Sequence, residues 1–183
     1  MQITTDQQYD KVIHDCRNIF LKKTKDYGTA WRVYRMISVA DQLYIKAKRI
    51  RNIQEGIIPQ IGDGILGEYF AIVNYAVIGL MQLNITHDEW DLPLEEVTEL
   101  YDEFTAKAKE LMDKKNHDYG EAWRDMDLKS LIDLILTKIL RIKQIINNDG
   151  KTVASEGIDS NLYDILNYAV FALILKDENK NPN

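Results

Sequence analysis

Along the 183-residue chain, apolar positions recur three and four apart in six long segments, and no stretch alternates in the two-residue rhythm of a half-buried strand. The segments are Thr5–Thr24, Ser38–Glu55 and Ile65–Leu83, then Leu94–Lys115, Leu128–Asn148 and Ser160–Leu175. The spacing predicts helices, so the expected fold class is all-α with six main helices. Lysines precede Gly28 and Gly120, where a left-handed residue is expected to end the first helix of each trio. The last segment of each trio is apolar on nearly every face. A trio alone would expose that surface to water, so the two trios are expected to share one core.

The two trios are copies of one unit. Asp26-Tyr27-Gly28-Thr29-Ala30-Trp31-Arg32 returns 92 residues later as Asp118-Tyr119-Gly120-Glu121-Ala122-Trp123-Arg124. The same register carries Tyr9 to Tyr101, Lys23 to Lys115, Asp41 to Asp133, Lys46 to Lys138 and Arg49 to Arg141. After one inserted residue, Asn74-Tyr75-Ala76-Val77 matches Asn167-Tyr168-Ala169-Val170. The expected organisation is a first repeat over 1–83, a linker over 84–97, a second repeat over 98–176 and a frayed tail over 177–183, with the repeats related by a pseudo-two-fold axis. Trp90 is expected to pin the linker to the body.

Composition narrows the classes. Apolar residues make up 45% of the chain, enough for a sizeable core, and the net charge of −6 removes the electrostatic footprint of a general duplex binder. The single cysteine, Cys16, has no internal partner, which suits a reducing, cytoplasmic setting. The N-terminus lacks a secretory pattern, and asparagines interrupt the longest apolar runs, so no membrane association is expected. His14, His87 and His117 lack ligand spacing and read as surface residues.

Candidate chemistry lies where polar residues interrupt apolar helices, because burying them is costly without partners. Lys138 projects from the apolar arc of its helix beside the stripe Asp133, Thr137, Arg141 and Gln144, and Lys46 and Arg49 take the equivalent places in the first half. An internal ion-pair network explains this pattern. So does phosphate binding, since two cations beside one acid leave positive charge over. In the last segment Asp164 and Asn167 are three apart and can face one point, with Tyr168 beside them and Glu156 just upstream. Oxygen ligands so spaced suit a hydrated Mg²⁺ completed by substrate phosphates, making Glu156 and Asp164 candidate metal ligands. Capping by Asp159 or Ser160 accounts for the start of the helix but not for Asp164. In the first half Ala71 replaces Asp164, Glu68 stands in place of Asn161 and Asp63 matches Glu156, so any metal site is expected in the second half. The duplicated motif can cover the end of the bundle with its tryptophans, or bind a base and phosphate through Asp118, Tyr119, Trp123 and Arg124.

These residues give the chain a resemblance to the family called nucleotide modification associated domain 1. It is carried by Lys-x-x-Asp-Tyr-Gly-x-x-Trp-Arg at Lys23–Arg32 and Lys115–Arg124, by Asp-x-x-x-x-Lys-x-x-Arg-Ile, and by Asp-Ile-x-Asn-Tyr-Ala at Asp164–Ala169. That family is tied by gene context to modified-nucleotide pathways. A more distant likeness is to the MazG and dimeric dUTPase type of all-α pyrophosphohydrolase. Asn161-Leu162-Tyr163-Asp164 looks like their Glu-x-x-Asp element with the glutamate lost, and Leu134–Arg141 offers lysine and arginine in place of their paired glutamates. The resemblance implies a small-molecule nucleotide or phosphate ligand, and hydrolysis with Mg²⁺ as the chemistry to test. Asp133 and Lys138 are the catalytic candidates; Lys46, Arg49, Asp118, Tyr119, Trp123, Arg124, Arg141, Asn167 and Tyr168 are the binding candidates. The competing expectations are a non-catalytic helical interaction module and single-strand binding through Lys46, Lys48, Arg49 and Arg51, in a monomer or a homodimer.

Overall fold

A computed structural model describes residues 3–62, 64–153 and 156–180, the last of them by its backbone alone. The helices are α1 (Thr5–Tyr27), α2 (Met36–Gln54), α3 (Leu66–Asn84), α4 (Leu94–Tyr119), α5 (Leu128–Asn147) and α6 (Ile158–Lys180), and the described residues contain no strand. Short 3-10 turns, Ala30–Val33 and Ala122–Asp125, carry the Trp-Arg pair of each repeat. Local chemistry sets the ends. Thr4 and Gln7 form a capping box at the start of α1, and Asp127 caps α5 by accepting from the Lys129 amide. Gly28 and Gly120 do stop α1 and α4, but at φ 60, ψ −146 and φ 62, ψ −161 rather than in the left-handed helical well. That mirror-extended region is open essentially to glycine alone.

Helices α3 and α6 pack on each other at the centre, α2 and α5 flank them and touch across the pseudo-axis, and α1 and α4 close the outside. By length and hydropathy Leu66–Asn84 and Ile158–Asn179 would suffice to cross a membrane, yet both are mostly buried as the middle of this bundle. Gly79 on α3 leaves room for Leu162 of α6, whose methyl groups would crowd any Cβ at that position. One core therefore serves both repeats, and neither has an apolar interior of its own.

The repeats are locked by bonds that come in symmetric pairs. The Tyr9 hydroxyl donates to Asn167 Oδ1 at 2.7 Å while Asn167 Nδ2 donates to the Ala108 carbonyl. Its mirror has Tyr101 donating to Asn74 Oδ1 at 2.8 Å and Asn74 Nδ2 donating to the Cys16 carbonyl. Ion pairs obey the same symmetry: Arg17–Asp102 with Lys109–Asp10, and Arg51–Asp133 with Lys143–Asp41. The buried asparagines matter more than the surface pairs, because a buried amide without partners is far costlier than an exposed ion pair is stabilising.

The motif arginines hold the repeats together, Arg32 through the linker and Arg124 through the start of α1. Arg32 donates to Gln82 and to the linker carbonyls of His87 and Glu89. Arg124 donates to Thr5, Gln8, Glu121 and Glu178, lying over the Trp123 ring at 4.4 Å. These contacts revise three expectations. Trp90 is two-thirds exposed, and the linker is held instead through its backbone, including Thr29 bonded to the Trp90 carbonyl. Residues 177–180 continue α6, where Glu178 meets Arg124 and Gln8, and 181–183 lie outside the described residues. Helix α6 also begins at Ile158, ahead of the capping residues expected.

Candidate functional site

In the second half the ionisable side chains converge on Asp164, which α6 presents towards α4 and α5. Lys115 Nζ lies 2.6 Å from its Oδ1 and Lys138 Nζ 2.6 Å from its Oδ2. The carboxylate is buried, Lys138 is nearly so, and Lys115 reaches in from an exposed position near the end of α4. Burial disfavours the Lys115 charge, but its hydrogen bond and attraction to Asp164 outweigh this and leave its pKa raised. Tyr168 stands in the same field, its hydroxyl pushed up by burial and by Asp164, against Lys115 and Arg141. Arg141 and Glu156 open instead onto an adjoining groove of about 860 Å³ with Gln144, Lys151 and Asn161.

The first half has the same cations and a displaced acid. Glu68, one helical turn before Ala71, accepts from Arg49 at 2.5 Å and lies 3.4 Å from Lys46. Arg49 also donates to the carbonyls of Ile61 and Gly64. The counterpart of Glu68 is Asn161, which bonds the Gly157 carbonyl, so Arg141 makes no ion pair among the described residues. Conversely Ala71 offers Lys23 no carboxylate, and Lys23 likewise has no hydrogen bond or ion pair among the described residues. A one-turn shift of a single acid thus decides which cation each half leaves over.

Lys23 borders a cavity of about 380 Å³ between α1, the Ala30–Val33 turn and α3. Phe20, Tyr27, Trp31, Tyr34, Phe70 and Tyr75 wall it, and Thr24, Ala71 and Asn74 are among the other lining residues. The Tyr75 hydroxyl is pushed up to about 12 by burial and then by Tyr34, so it stays protonated at neutral pH. In the second half Trp123 stacks flat on Phe171 with ring centroids 4.3 Å apart and is itself buried. Ile78 stands in place of Phe171, and Trp31 is correspondingly only half-buried. Both indole Nε1–H groups are buried without an acceptor, so this feature does not distinguish the halves.

The geometry separates the sequence candidates. Lys138, Asp164 and Tyr168 come together; Arg141 and Glu156 share the neighbouring groove; Lys46 and Arg49 form the first-half counterpart on Glu68. Asp133 points away from Lys138 and pairs at 3.5 Å with Arg51 of α2, because its place on α5 faces the other repeat. Asn167 is taken up by Tyr9 and Ala108, and Arg124 by the ends of α1 and α6. Trp123 fills its own half. Asp118 and Tyr119 lie exposed at the end of α4, with Asp118 beside His117. Asp63, the counterpart of Glu156, lies outside the described residues. The donor set does not suit Mg²⁺: both Asp164 oxygens face ammonium groups, and no three acidic, histidine or cysteine residues converge among the described residues.

Four residues of these sites were not among the candidates chosen from the sequence. Lys115 and Lys23 head the duplicated motif, three residues before Asp-Tyr-Gly, and their recurrence was visible, but at the end of a helix they read as complements to its dipole rather than as partners of α6. Tyr34 and Tyr75 gave no signal, since aromatics on buried helices are ordinary core.

This is an internally duplicated all-α protein whose two copies of one polar cluster have diverged. The model for nucleotide modification associated domain 1 matches twice, over residues 23–83 and 115–175, and the chain belongs to that family. The two matched segments stand in the 92-residue register of the repeat and begin at Lys23 and Lys115. No curated protein and no solved structure matches the chain.

Proposed function

We propose that the protein binds a nucleotide or nucleotide-like phosphate in the first-half cavity, and that it does so by aromatic stacking and lysine contact rather than through a carboxylate-held metal. The observation that carries this reading is the joining, in one family motif, of an aromatic-walled space of about 380 Å³ and a lysine with no carboxylate partner among the described residues. A volume of that order is typical of small-molecule sites. Stacking of a base on an aromatic ring contributes about 1–3 kcal/mol, and an ammonium group beside it supplies a charge-assisted bond to phosphate. The family's association with nucleotide modification supports the same ligand class.

A thermal-shift screen of nucleosides and nucleotides, with and without Mg²⁺, tests it. A ligand at a hundredfold excess over its Kd stabilises the native state by about 2.7 kcal/mol, which for a chain of this size raises Tm by roughly 5–10 °C. The shift should persist in EDTA. If no nucleoside or nucleotide moves Tm, the reading fails and a helical interaction module remains.

A further inference from the structure

The second half displays an anion in place, supplied by its own chain. Asp164 puts one carboxylate oxygen on Lys115 and the other on Lys138, each at 2.6 Å. The repeat register carries these three residues onto Lys23, Lys46 and Ala71. The first half therefore retains both lysines and lacks the carboxylate. Ala71 and Lys23 both line the aromatic cavity, so the space a carboxylate would fill there is part of it. Lys46 is held loosely by comparison: it lies 3.4 Å from a Glu68 oxygen that accepts no hydrogen bond, and Arg49 already neutralises that acid at 2.5 Å.

We propose that the phosphate of the ligand occupies in the first half the place that the Asp164 carboxylate fills in the second. This inference rests on the reading of the cavity as a nucleotide site and adds its substrate class, a nucleoside monophosphate. Lys23 is the cation of the cavity lining, and Lys46, which lies beside Glu68 outside that lining, is brought to the same seat by the repeat register alone; this matches a single phosphate next to a stacked base, whereas a triphosphate would carry charge for which the lining offers no cation beyond Lys23. The second half is closed by its own side chains. Asp164 satisfies the lysines, and the Trp123–Phe171 stack fills the space where a ring would enter.

The test is to rebuild the second-half arrangement in the first. Calorimetric titration of the full chain in EDTA with 2′-deoxynucleosides, their 5′-monophosphates and inorganic phosphate gives the affinity ratio of monophosphate to nucleoside. The unmodified protein should favour the monophosphate by tenfold or more. Ala71→Asp places a carboxylate on Lys23 and Lys46 and should bring the ratio to about one. Lys23→Met, at an exposed position, should do the same and guards against misfolding of the first variant, with circular dichroism as the check on both. Monophosphate preference that survives both substitutions would put the phosphate elsewhere, for instance in the Arg141–Lys151 groove, and overturn the inference. Equal binding of nucleoside and monophosphate by the unmodified protein would overturn it too, while leaving the nucleotide reading intact. Absence of any binding would bring down both.

Discussion

Replacing Asp164 by alanine separates the two roles open to this carboxylate. Asp164 is 7% exposed and shares its charge between Lys138, whose side chain is 14% exposed, and Lys115, whose side chain is 56% exposed. Without the acid, Lys115 can turn into water, whereas Lys138 keeps a charge in a nearly sealed site. Stranding one partner of a buried pair typically costs 3–5 kcal/mol. Because Lys138 retains some solvent contact, the expected loss is about 2–4 kcal/mol. Adding Lys138→Met removes the stranded charge while keeping the aliphatic stem, and should recover about half of that loss. Urea unfolding in EDTA, with an unchanged m-value, measures both. If Asp164 were reserved for a divalent cation, the alanine variant would instead be about as stable as the parent in EDTA and would lose a Mg²⁺-dependent gain. That result, or a double variant no more stable than the single, would refute the ion-pair reasoning.

Three further outcomes follow from the packing. Gly28→Ala and Gly120→Ala both force a side chain into backbone geometry that costs about 1–3 kcal/mol, but a Cβ at Gly28 also meets the Asp91 carboxylate whereas Gly120 faces open space; thermal unfolding should rank Gly28→Ala as the more damaging. Tyr9→Phe and Tyr101→Phe each leave a buried asparagine oxygen without its donor, and denaturant unfolding should show losses of about 1–3 kcal/mol, similar in the two because the bonds are symmetric. Burial raises the pKa of Tyr9, Tyr69, Tyr75 and Tyr101, so the folded state keeps protons that the unfolded chain releases near pH 10; stability is complete below that pH and falls above it by about 1.4 kcal/mol per pH unit for each such tyrosine. Tyrosinate absorbance followed beside helical circular dichroism should show Tyr9, Tyr69 and Tyr101 of the ten tyrosines ionising only as helix is lost, with Tyr75 following the exposed tyrosines at about pH 12; ionisation of all ten near pH 10 in a folded protein would contradict this.

The helices and the duplication were legible because apolar periodicity and exact recurrence are properties of the sequence itself. Partner identity is not, and that is where the reading of the site diverged. Asn167 looked like a polar intrusion beside Asp164, but its partner is Tyr9, 158 residues away in the other repeat. Arg124 looked like a phosphate contact, yet the motif arginines hold the opposite repeat's first helix and the linker, a task visible only once the halves interlock. Asp133 shares a stripe with Arg141 on α5, but one helical face divides between solvent groove and inter-repeat surface. The exchange of Asp164 for Ala71 and of Asn161 for Glu68 could be read from alignment of the halves. Its consequence could not, because that required knowing that Lys115 leaves the end of α4 to reach α6.

Entry of a nucleotide into the first half at Trp31, and not into the second at Trp123, is read most directly from the indole N–H signals of the three tryptophans in a ¹H–¹⁵N spectrum. On adding a nucleoside monophosphate in EDTA, the Trp31 signal should move while that of Trp123 stays in place. A Trp123 shift with Trp31 unmoved, or shifts that appear only with Mg²⁺, would contradict it.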